Sequence, residues 1–131
     1  MPKLMTAARR VGLDAPGSGR RLTPAEVERV LVLTHDPEPR VRQAALMNLC
    51  PCHLQADRPE VWERVFELAA DPDSHVRQQV LHTLGDGSPR RLEERVIATL
   101  RSMRHDPDRR LRRSVRALLA RHHRTGRVNV L

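Results

Sequence analysis

Aromatic residues are almost missing: of 131 residues none is tyrosine, one is phenylalanine and one is tryptophan. Proteins that grip single strands or RNA stack bases on aromatic rings, so a stacking platform is not expected here. Cysteine is equally scarce. Cys50 and Cys52 are the only two, too few for the disulfide framework of a small secreted domain. No window approaches the roughly 18 apolar residues of a membrane-spanning helix. The opening "MPKLMTAARRVGL" lacks the continuous apolar core of a secretory signal. Together these absences lead us to expect a cytoplasmic protein with no membrane partner. β-branched runs are short and aromatics are few, so no strand signal competes with a helical reading. No glycine-elbow serine and no evident Cys-His-acid arrangement is present. Gly17 and Gly19 in "PGSGRR" lack both the lysine and the strand-to-helix context of a phosphate loop. No small-molecule substrate or cofactor is evident, and an enzyme is not expected.

What is abundant is arginine. Of the 24 basic residues 23 are arginine, against 16 acidic ones, and they are unevenly placed. Residues 1–21 hold five basic and one acidic residue, 22–88 six and eleven, and 89–131 thirteen and four. An acidic middle between basic ends suits a protein that turns one pole toward an anionic partner. A general preference for arginine on solvated faces would produce the same counts.

The second abundance is repetition. "DPEPRVRQAAL" from Asp36 returns as "DPDSHVRQQVL" from Asp71 and "DPDRRLRRSVR" from Asp106, an interval of 35 residues. Laying residue n over n+35 and n+70 aligns Val41/Val76/Leu111, Ala45/Val80/Val115 and Leu49/Leu84/Leu119, apolar at i, i+4 and i+8. Upstream, Val27/Trp62/Ile97, Val30/Val65/Leu100 and Leu33/Leu68/Met103 form a second helical stripe in the same register. Each unit is therefore two helices.

Start and stop signals agree. Thr23, Pro24 and Glu26 spell a capping box with proline at the first helical position; Asp57 with Glu60, and Ser88 with Pro89, mark the later first helices. Asp-Pro is expected to start each second helix, with Pro51, then Gly85 and Gly87, then Gly126 ending them. We expect a single domain over 1–131: an N-terminal lid helix and flexible linker in 1–21, repeats at 22–50, 57–85 and 88–123, and a tail at 124–131.

A hairpin of about 35 residues whose turn reads D-P, followed by V-R and an apolar stripe, resembles the HEAT and HEAT-like repeats, including the short variety of phycobilisome lyases. The resemblance covers roughly residues 22 to 122. It implies an all-α fold, a short right-handed α-solenoid, with first helices on the convex side and second helices lining the concave side. It also implies a structural ladder of Asp36, Asp71 and Asp106 with Arg42, Arg77 and Arg112, tying each turn to its helix or to the next repeat. A paired guanidinium of this kind is already occupied and leaves little for phosphate.

The third repeat departs from the others in a telling way. Leu31 and Phe66 align with Arg101, and Leu46 and Leu81 with Arg116. A unit with no follower must exchange apolar contacts for charge, so these arginines are expected to cap the stack.

Residues between the stripes are expected on the concave face: Arg40, His75 and Arg110; Gln43, Gln78 and Arg113; Met47 and His82. They would form a recognition surface for a protein partner, unless they are ordinary solvated positions. A second candidate surface, for phosphate or another anion, is Arg109, Arg110, Arg113, Arg116, Arg121, Arg124 and Arg127. "CPCH", Cys50 to His53, invites a metal, but the spacing is poor, and Cys50 aligns with Gly85 and Ala120 as a small buried residue would. A further ligand would have to come from His82 or a distant repeat, so no metal is assigned. HEAT-repeat hydroxylases hold iron with His-Glu dyads, and no His-Glu pair occurs here. The expectation is a non-enzymatic scaffold that binds a protein partner. A duplex-backbone binder of low specificity is the alternative, and a lyase-like accessory role rests on fold analogy alone.

Overall fold

The computed structural model describes residues 22–50 and 58–128, and all regular structure among them is helical. Three hairpins follow one another: α1 (Pro24–Leu33) with α2 (Pro39–Asn48), α3 (Pro59–Leu68) with α4 (Ser74–Gly87), and α5 (Glu93–Ser102) with α6 (Arg109–Thr125). A 3-10 turn at Arg90–Leu92 leads into α5. Partners pack within each hairpin, and the second helices pack in a row, α2 on α4 and α4 on α6. This is a short α-solenoid. The lid helix expected in 1–21, the Asp57 cap, Cys52 and His53 lie outside the described residues.

Four of these six helices are ten residues long, about 15 Å, a length marginal in water by itself. Tertiary burial holds them. Val30, Val65 and Leu100 are fully buried in the first-helix stripe, and Ala45, Val76, Val80, Leu84, Leu111 and Val115 in the second. Truncating one of the leucines to alanine would cost about 2–5 kcal/mol.

Local signals set the ends, in part at positions other than those expected. At α1 the Thr23 hydroxyl accepts from Glu26 N at 3.2 Å and Glu26 Oε1 accepts from Thr23 N at 3.1 Å, a complete capping box. The Asp-Pro aspartates do not cap the second helices. Asp36, Asp71 and Asp106 each accept the N–H two residues on, at 2.9 Å, in an Asx turn. The caps come two residues later: Asp73 accepts from His75 N and Val76 N, and Asp108 from Arg110 N and Leu111 N. Glu38, at the same place in the first repeat, makes no side-chain cap bond.

Helix α4 runs through Gly85 and stops at Gly87, its last residue, with Ser88 held extended (φ −63°, ψ 142°) ahead of Pro89. Ser88 therefore closes α4 rather than opening the third hairpin, and α5 starts after the 3-10 turn with Leu92 as a cap that makes no side-chain bond. Gly85 has a packing reason: a Cβ there would sit 2.8 Å from Leu118 Cδ2, so its absence lets α6 approach. Helix α6 continues to Thr125 and ends on Gly126, whose φ of 75° suits glycine and whose N–H bonds His122 O at 2.7 Å. Beyond it the chain turns back. Val128 is fully buried, donates its N–H to Glu93 Oε1 at 2.7 Å and accepts from Arg121 Nη1 at 2.9 Å.

Charged ties join the repeats along the first helices as well. Arg64 donates to Thr34 Oγ1 and Thr34 O, both at 2.9 Å. Arg95 grips both oxygens of Glu63 while lying 4.3 Å from the Phe66 ring centroid. Among the described residues no helix is long and apolar enough to cross a membrane.

Candidate functional site

The six ladder residues are divided by the structure into two complete rungs and an open one. Arg42 donates from Nε and Nη2 to the two oxygens of Asp71, at 2.9 and 3.0 Å, while its Nη1 holds Asp36 O at 2.8 Å and Pro37 O at 3.1 Å. Arg77 repeats this with Asp106 and with Asp71 O and Pro72 O. The carboxylates are buried, Asp71 at 8% and Asp106 at 9% exposure. The hydrogen bond to Asp71 pushes the Arg42 guanidinium further above its ordinary range. Arg112 holds Asp106 O and Pro107 O in the same way, but its carboxylate-binding edge meets no acid among the described residues. These arginines belong to the frame.

The row read as a recognition surface is less uniform than the spacing implied. His75, His82, Arg110 and Arg113 are exposed. Gln43 is not: it is 6% exposed and its Oε1 accepts from Arg40 Nη1 at 2.9 Å. Its helix, α2, is buried nearly all round, with Ala44 and Ala45 fully inaccessible and Asn48 at 3%, so a polar spacing pattern there did not mark a solvent face. Met47 packs against the core. Gln78 is half-buried and donates to Ser114 Oγ at 3.1 Å, across to α6. His75 has Asp73 3.7 Å away.

The arginines of α6 separate cleanly. Arg109, Arg113, Arg116 and Arg124 follow i, i+4, i+7 and i+15, one stripe opposite Leu111, Val115 and Leu118, and all four are exposed. The stripe spans about 22 Å. None of the four pairs with a carboxylate among the described residues. Arg110 and Arg127 are exposed beside it. Arg121 does not belong with them, because its guanidinium is held by Val128 O and reaches toward Gly85 O at 3.5 Å. Arg101, like Arg116, is exposed where its counterpart Phe66 is buried. The chain's aromatics are unavailable for stacking: Trp62 is 4% and Phe66 9% exposed.

Between α4 and α6 lies a shallow groove of about 410 Å³ lined by Gln78, His82, Asp86, Ser114, Ala117 and Arg121 among others. At its α2 side the structure brings together Cys50, His82, which the sequence already offers as a further ligand, and Asp86, which it does not. Cys50, at the end of α2, donates its thiol to Asp86 Oδ2 at 3.3 Å, and ligand atoms of Cys50, His82 and Asp86 all lie within 4.8 Å of one another. For Asp86 the nearest sequence signal is the alignment of Cys50 with its neighbour Gly85.

A family model for HEAT repeats matches residues 27–120. No curated protein and no solved structure matches the chain.

Proposed function

The chain belongs to the HEAT-repeat family, and from that premise we propose that it is a non-enzymatic interaction module for an acidic protein partner. HEAT repeats generally serve as scaffolds for protein interactions and are typically not enzymes. One observation carries the choice of partner chemistry: the exposed stripe Arg109, Arg113, Arg116 and Arg124, rigidly spaced along α6 and unpaired with any described carboxylate. Guanidinium forks match carboxylates bidentately, so an acidic helix or extended peptide lying along α6 would meet successive donors. Arg110 and the exposed His75 and His82 extend that surface over the neighbouring second helix.

The same stripe would accept phosphates of a duplex backbone, a second reading favoured by its length of about 22 Å, two-thirds of a B-DNA turn. With Trp62 and Phe66 buried, such binding would read no bases by stacking.

Fluorescence anisotropy over a salt series separates the two. A labelled acidic helical peptide is expected to bind, and Arg110→Glu with Arg113→Glu to abolish it. Tighter binding of a labelled duplex, with a steep log–log salt slope, would replace the first reading by the second. No binding of either at low salt would remove both.

A further inference from the structure

We propose that Cys50, His82 and Asp86 form a binding site for a thiophilic divalent cation of the zinc class, clipped between the first and second repeats. His82 and Asp86 stand at i and i+4 on α4, one face of one helix, the spacing that lets two side chains share an ion. Cys50 comes from the end of α2 and supplies the soft ligand from the opposite side. Ligand atoms of all three lie within 4.8 Å of one another. A tetrahedral zinc site with Zn–S of about 2.3 Å and Zn–O and Zn–N of about 2.1 Å has edges of about 3.4–3.6 Å. The Cys50 Sγ to Asp86 Oδ2 separation of 3.3 Å is close to one such edge. His82 is exposed, so a side-chain torsion closes the remaining distance without disturbing the core.

The donor set also matches in charge and hardness. Binding replaces the thiol proton that Cys50 now donates to Asp86: the S–H bond breaks, a metal–sulfur bond forms, and one proton passes to solvent. A thiolate and a carboxylate then neutralise the dication, and the imidazole binds as its neutral form. Among the described residues the one cation lining the same groove, Arg121, is drawn away by Val128 O. Three protein ligands leave a fourth position for water.

A nucleophilic reading of the same three residues fits less well. Cys50 is 2% exposed, and its thiol is directed to the carboxylate rather than to the imidazole that would have to take its proton. All three ligands also sit where the repeats disagree. Cys50 aligns with Gly85 and Ala120, His82 with Met47 and Ala117, and Asp86 with Pro51 and Arg121. Scaffold requirements common to the repeats do not select them.

Cobalt(II) titrated into the full chain tests this. One equivalent should give a near-ultraviolet thiolate-to-cobalt band with intense tetrahedral d–d bands, and zinc should bleach both. C50S should lose the near-ultraviolet band, while H82A and D86N should each weaken binding at least tenfold with helical circular dichroism unchanged. C52S, a change at the neighbouring thiol, should retain the spectrum. Absence of a one-equivalent complex overturns the proposal. So does a spectrum that survives H82A and D86N but disappears in C52S.

Discussion

Arg77 holds both oxygens of Asp106, at 2.8 and 3.0 Å, and with its remaining nitrogen holds the carbonyls of Asp71 and Pro72. One side chain therefore fixes a turn in its own repeat and a buried acid in the next. Arg77→Ala would leave Asp106 buried and uncompensated, a loss expected to cost about 3–5 kcal/mol. Arg112→Ala removes two carbonyl contacts and no carboxylate, and should cost about 1 kcal/mol. Urea denaturation of both variants checks the contrast; equal losses would show that the acid contributes nothing to the difference.

Arg101 and Arg116 replace residues that are apolar and more buried in the other repeats. Arg101→Leu with Arg116→Leu should create a patch complementary to a further stacking unit and promote self-association. Light scattering across a concentration series reads this directly. A double variant that stays monomeric removes the assignment of these arginines as a cap.

Acid should weaken the fold through two surface carboxylates, Asp108 and Glu63. The Arg110 N–H, then the Leu111 N–H, hold Asp108 below the usual carboxylate range, and the Arg95 hydrogen bond does the same for Glu63. A depressed folded-state value means the contribution is present above the unfolded value of about 4 and is lost as pH falls through the folded one. Urea midpoints measured downward from pH 6 should therefore fall below about pH 4. Asp108→Asn, which still caps α6, should flatten part of that slope.

Gly126 closes α6 with positive φ, and a Cβ there would touch nothing within 4 Å. Gly126→Ala should therefore destabilise by about 1 kcal/mol through backbone strain alone. Thermal unfolding checks it, and an unchanged midpoint would mean the turn relaxes.

The repeat was legible because period, stripe and turn residues all recur at 35, and each carries the same physical demand in each copy. Boundaries were harder. Asp36, Asp71 and Asp106 look like caps because aspartate often is one, yet they serve the turn two residues earlier; Gly85 looks like a stop but is space for Leu118. Gln43 shows the limit of spacing arguments, since nothing local says that α2 is buried on its polar side. The Cys50–His82–Asp86 cluster joins residues 32 and 36 apart. Contacts at an offset of 36 recur, in Cys50 with Asp86, Gln78 with Ser114 and Gly85 with Arg121. That offset, one repeat plus one residue, recurs where one second helix meets the next, while the ladder pairs Arg42–Asp71 and Arg77–Asp106 lie 29 apart.

The ladder also gives the molecule a direction. Each complete rung takes its guanidinium from one repeat and its acid from the following one, so the described solenoid presents an acceptor, Asp36, toward one pole and a donor, Arg112, toward the other. Its two ends are thus plug and socket of a single chemistry. Any helical unit set against the Arg112 end would be selected by whether it brings a carboxylate in register, and any unit set against the Asp36 end by whether it brings a guanidinium.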